Sequence, residues 1–168
     1  IDMSGDNDKM VTNQRATLGA TWGGSNWGVH VSSDVNYMLG SGDASMGIYE
    51  AYASANLMGY ATVTAGRQAL DYGSGAIMSS NQWGTRATWD GFTFGLDLDM
   101  ADISLGYANS SGANADSTGN SQMWLNAAKG DGDWTANLLY TSSTVGTADA
   151  TTAMGIDLGY AMMGGDLG

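Results

Sequence analysis

Residues 27–39, WGVHVSSDVNYML, alternate in a period of two. Trp27, Val29, Val31, Val35, Tyr37 and Leu39 share one parity, and Gly28, His30, Ser32, Asp34 and Asn36 share the other. That period predicts a β-strand with one apolar and one polar face. The same rhythm recurs along the chain. It predicts strands over about 10–22, 46–57, 61–70 and 86–98, with Leu18, Ala53, Val63 and Phe94 among their apolar positions. Further strands are expected around Ile103, Leu125, Leu138 and Ile156. The stretch 61–70 is less clean, because Arg67 falls on the parity of Ala61, Val63 and Ala65. A bulge there, or a strand end beyond the apolar zone, would account for it.

The connections alternate too. The segments 23–26, 58–60, 99–102, 130–133 and 164–166 are short turns, whereas 40–45, 71–85, 110–120 and 146–150 are longer loops. A soluble meander has no reason for that order. A transmembrane barrel does, since its turns are short at one rim and its loops longer at the other. Aromatic residues fit the same frame. Trp22, Trp27, Trp134 and Tyr160 lie near the short turns, and Tyr37, Tyr49, Tyr107 and Tyr140 lie toward the longer loops, all on the apolar parity. Two belts of Trp and Tyr bounding an apolar band match the two interfaces of a bilayer. The polar parity is small and mostly uncharged, with Ser, Thr, Asn, Gln, Gly and Asp and almost no lysine. Long charged side chains dominate water-facing sheets, so this face suits a barrel interior and the apolar face is expected to meet lipid.

Composition narrows the alternatives. Five basic against 17 acidic residues give a net charge of −12. Without a basic stripe there is no footprint for nucleic acid. The absence of cysteine excludes a disulfide framework and a thiolate metal site. The 26 glycines disfavour long helices, and the absence of proline suits a chain made mostly of central strand. No apolar run approaches the roughly 20 residues of a transmembrane helix. The chain opens on the polar, acidic IDMSGDNDKM, with no visible signal peptide. The expected fold is therefore all-β: an antiparallel up-and-down transmembrane β-barrel, one domain over 1–168. Nine or ten strands are expected, more naturally part of a larger barrel than a complete one.

The segment TVTAGRQALDYGSGAIMSSNQWGTRATWDGFTFGLDL, residues 62–98, resembles Gram-negative outer-membrane porins, most closely the alginate-export type. The likeness rests on Gly66, Arg67, Gln68, Leu70, Tyr72, Gly73, Trp83, Arg86, Asp90 and Gly91. It implies a monomeric or trimeric pore for small hydrophilic solutes, or a polysaccharide conduit, in the outer membrane of a Gram-negative bacterium. Alginate exporters carry a lumen rich in Arg and Lys. Here Arg15, with Arg67 and Arg86, stands against Asp34, Glu50, Asp97 and Asp157, which favours cations or neutral solutes over an anionic polymer.

The expected lumen lining is Arg15, His30, Asp34, Asn36 and Glu50, with Tyr52, Asn56, Asp97, Asn126 and Asp157. The loop 71–85 is the candidate constriction, with Arg67, Tyr72, Trp83 and Arg86 as its key residues. Catalytic chemistry is not expected. Ser32, His30 and Asp34 share a strand face, but nothing supplies an oxyanion hole. The fragments DNDK (6–9) and DGD (131–133) offer at most weak loop calcium binding, without EF-hand spacing. No cofactor and no dedicated metal site are expected. The expected partners are the bilayer and small hydrophilic solutes, with a homo-oligomer open. The rival expectation is a soluble secreted β-protein, an adhesin or fibre subunit, with its apolar faces buried against another sheet.

Overall fold

The computed structural model describes residues 12–40, 42–80, 86–110, 120–162 and 165–167. The DNDK fragment, Trp83, residues 111–119 and the start of the 164–166 turn lie outside the described residues. Ten antiparallel strands form one sheet in strict sequence order. They are β1 (Thr12–Gly23), β2 (Trp27–Leu39), β3 (Ala44–Leu57), β4 (Ala61–Gln68), β5 (Trp89–Leu98), β6 (Ala101–Ser110), β7 (Asn120–Asp131), β8 (Trp134–Thr144), β9 (Thr151–Met162) and β10 (Gly165–Leu167). There is no helix among the described residues. The meander follows from the alternation, because each strand is joined to the next by a reversal that keeps like faces together.

Register keeps the apolar rows aligned. Val31 lies opposite Ala20 on β1 and Ala51 on β3, and Phe94 lies between Val63 and Leu105. The turn between β3 and β4 puts Met58 and Gly59 at φ 54° and 81°, both left-handed. That geometry matches the right-handed strand twist, and it costs least at glycine. Asn56 holds the turn by accepting the Gly59 N–H at 2.6 Å.

Among the described residues the antiparallel up-and-down order is as expected, and the sheet is not closed into a complete barrel of its own. Each strand pairs only with its sequence neighbours, and β1 and β10 are not bonded to each other. Two strand boundaries also shift. The fourth strand ends at Gln68 rather than Leu70, and the fifth begins at Trp89 rather than Arg86. The described chain between them lies on the polar face instead of continuing the ladders.

Burial separates the two faces sharply. The apolar face is uncovered: Leu18 is 68% and Leu158 71% exposed, and Phe92, Ile156 and Met154 also lie open. The buried cluster is on the opposite face. There Met78, from the connection between β4 and β5, packs with Trp89, Ala108, Trp124 and Leu139. Trp124 and Leu139 are 3% and 2% exposed. A water-soluble monomer rarely exposes a contiguous apolar patch beyond a few hundred Å². This one carries exposed large side chains on β1–β3 and β5–β9.

Candidate functional site: the polar face and its loop

The connection between β4 and β5, described over 69–80 and 86–88, is tied to the polar face at several points. Glu50 on β3 accepts the Ala69 N–H at 3.3 Å. Trp124 Nε1 donates to the Tyr72 hydroxyl oxygen at 2.9 Å, and that hydroxyl meets Ser104 Oγ at 2.8 Å. Burial pushes the Tyr72 phenol above its ordinary value, and its bonds to Ser104 and Trp124 offset part of that rise. The Ser74 N–H donates to Asp157 on β9 at 3.1 Å. Gly73, at φ 57°, passes so near Asp157 that a Cβ there would lie 2.0 Å from the carboxylate oxygen. Only glycine fits.

Inside the loop Asp71 acts as a local staple. It accepts the Ser79 hydroxyl at 2.7 Å, the Ser80 N–H at 2.8 Å and the Ser80 hydroxyl. Burial raises the Asp71 pKa, but these bonds outweigh it and hold the carboxyl below the usual carboxylate range. The loop returns through Arg86, which clamps Asp34 with Nε at 3.0 Å and Nη2 at 2.9 Å. Arg86 also donates to Thr17 at 3.0 Å and lies 3.5 Å above the Tyr49 ring. The strap thus reaches β9 with Ser74 and β1–β2 with Arg86.

Neither a family model, nor a curated protein, nor a solved structure matches this chain. Its function has to be argued from the placement of its own residues.

The polar parity carries the expected groups. Arg15 donates to Asn36 at 3.2 Å and lies 3.9 Å from Asp34. His30 Nδ1 is 2.8 Å from Thr21 Oγ1, its Nε2 is 3.5 Å from Glu50, and its ring stacks on Tyr52 at 5.2 Å. Ser32 donates to Glu50 and Asp34 is taken by Arg86, so Ser32, His30 and Asp34 are not linked as a triad. Asn126 is buried and donates to the Leu138 carbonyl at 3.3 Å. Asp97 sits directly opposite Asp102. Among the described residues, no group of three or more His, Cys, Asp or Glu is placed to hold a metal ion.

Two residues depart from their expected places. Arg67 pairs in register with Asp90, bonding it at 2.8 and 2.9 Å. The strand keeps its parity to the end, with no register shift on either side of β4. Arg67 therefore stays on the parity of Ala65 and Val63, at the loop-side end of that face, and does not reach the loop. Tyr49 lies at a bulge, where the β2–β3 register slips between Ser32 and Ser33. The extra residue turns its ring under Arg86, so it leaves the apolar row. Trp22, Trp27, Trp134, Tyr160, Tyr37, Tyr107 and Tyr140 all stand exposed.

The residues that seat the loop were not singled out from the sequence: Met78, Trp89, Ala108 and Leu139. A signal was present. Trp124 falls between Gln122 and Asn126, and Leu139 between Asn137 and Thr141, each a large apolar group on a polar parity. Gly106 completes the seat. A Cβ there would come within 1.9 Å of the Trp124 ring, so the indole lies directly over it.

Proposed function

We propose that this chain is the wall and constriction loop of a porin-like channel in the outer membrane of a Gram-negative bacterium. Small hydrophilic solutes would cross it by passive diffusion. The observation that carries this reading is the inversion of burial. The apolar face carries exposed large side chains on β1–β3 and β5–β9, while the covered groups sit on the polar face beneath a strap of the same chain. Lipid is the natural cover for such an apolar face, and the exposed Trp and Tyr residues suit its interfaces.

Charge on the polar face favours cationic or neutral cargo. On that face Arg86 is committed to Asp34 and Arg15 lies 3.9 Å from the same carboxylate, whereas Arg67, paired with Asp90, stands on the apolar parity. Lys129 bonds the Asp99 carbonyl at 2.6 Å. Asp97, Asp102 and Asp157 have no cationic partner among the described residues. A solute carrying negative charge would meet uncompensated carboxylates.

The test is a planar bilayer recording of the detergent-purified chain, with a tenfold salt gradient across the membrane. Stepwise ohmic currents with a cation-directed reversal potential are expected. A chain that folds and inserts yet passes no current would overturn the channel reading.

A further inference from the structure

The polar face changes from its long-loop end to its short-turn end. Toward the long loops it is covered on both halves of the sheet: Ser32 and Asp34 on β2 are buried, and so are Trp89, Ala108 and Trp124 on β5–β7. Toward the short turns Thr21, Asp97, Asp102 and Thr135 stand exposed. Charge divides the same way. Beside the loop two cations, Arg15 and Arg86, stand against two carboxylates, Asp34 and Glu50. Asp71 is taken up within the loop by Ser79 and Ser80. The short-turn end has no such balance. Register sets Asp97, Asp102, Ala128, Asn137 and Asp157 opposite one another in turn on β5–β9, so three carboxylates share one cross-strand row. Lys129, beside Ala128, stands on the other parity and donates to the Asp99 carbonyl. A cavity of about 520 Å³ is lined by Asp102, Thr135, Asn137 and Asp157 and, from the loop, by Gly73 and Ser74.

We propose that the row Asp97, Asp102 and Asp157 is the charge filter of the channel, and that it is separate from the steric narrowing made by the loop. This rests on the channel reading above. Asp97 lies eight residues from Trp89 on β5 and Asp102 six from Ala108 on β6, about 27 and 20 Å along the strands. Both spans exceed the Debye length of about 8 Å at physiological salt, so charges at the buried seat are screened from that part of the row. At its β9 end the row meets the loop, through the Ser74 N–H on Asp157. Like charges directly opposite each other weaken a sheet, and Asp97 and Asp102 are such a pair. A passing cation relieves that repulsion, and an anion adds to it. Beside the loop the same cation meets carboxylates already matched by Arg15 and Arg86. The row then sets the sign of the charge that passes, and the loop sets the size.

The test reads the detergent-purified chain in two ways, by potassium chloride selectivity in planar bilayers and by the swelling of liposomes in a neutral sugar. The double variant Asp97→Asn/Asp102→Asn keeps the size of both side chains and removes their charge. Its cation-to-anion permeability ratio should fall roughly fivefold, the factor that one carboxylate about 4 Å from a cation gives in water. Its rate of swelling should match the parent's. Asp149→Asn removes an exposed carboxylate at the long-loop rim and should leave the ratio as it is. A ratio unchanged in the double variant, or lowered as much by Asp149→Asn, would overturn the row as the filter. Swelling that shifts together with the ratio would overturn its separation from the narrowing. Absence of current from the parent protein would instead overturn the channel reading, and the filter with it.

Discussion

Met78→Ala separates the two faces of this sheet most cleanly. Met78 is 1% exposed and is the loop's apolar anchor on the polar face. Truncation of a buried Met costs about 2–5 kcal/mol, including the cavity that remains. A surface loop can partly collapse into that cavity, so the lower end applies, about 2–3 kcal/mol. Every 1.4 kcal/mol is a factor of ten, which makes undocking of the loop roughly 30- to 150-fold more frequent. The assay is amide hydrogen exchange on the detergent-solubilised protein. Residues 69–80 should lose protection by that factor while β1–β3 keep theirs. Met46→Ala is the matched control, since Met46 lies 74% exposed on the apolar face. A surface change of that kind is worth within about 0.5 kcal/mol. If Met78→Ala left the loop unchanged while Met46→Ala loosened the sheet, the assignment of covered and bare faces would be wrong.

The remaining predictions concern the seat, the clamp, the staple and the lipid face. Gly106→Ala should displace the Trp124 ring and release the loop much as Met78→Ala does, measured by the same exchange, because the added Cβ has no space. Arg86→Ala should lower stability by about 1–3 kcal/mol, read from thermal midpoints in detergent, since it leaves the Asp34 carboxylate desolvated without its partner. The Asp71 carboxyl titrates lower folded than unfolded, so its contribution is complete above the unfolded value near 3.9. That contribution fades as pH falls through the lower folded value, so loop protection should drop in acid, and Asp71→Asn should remove that dependence. Val31→Arg, with its side chain on the bare face between Ala20 and Ala51, should cost about 2–4 kcal/mol in a bilayer and block insertion into liposomes. Unimpaired insertion would count against lipid on that side.

How much of this was legible in the sequence follows from what alternation can and cannot encode. Period two assigns a face to each residue, and it placed Val31, Phe94, His30 and Asn126 without any knowledge of partners. It also framed the Arg67 anomaly as a strand end or a bulge, and the intact β4 register settles that in favour of the end. Tyr49 escaped because a bulge shifts parity by one residue; the local trace was the switch of apolar positions from Met46 and Ile48 to Ala51, Ala53 and Ala55. The docking of the β4–β5 connection onto distant strands is a non-local event. Its only trace was the out-of-phase Trp124 and Leu139, which acquire meaning once Met78 lies over them. Closure was beyond periodicity altogether, since alternation is the same in an open sheet and a barrel.

That the bare apolar face is made for lipid is tested most directly by expressing the chain and fractionating it without detergent. It should sediment with membranes or aggregate, dissolve only when detergent is added, and then give strand-rich circular dichroism. A chain that remains soluble, monomeric and folded in plain buffer would contradict this, because no sheet can keep Leu18, Phe92 and Leu158 in water across one continuous face.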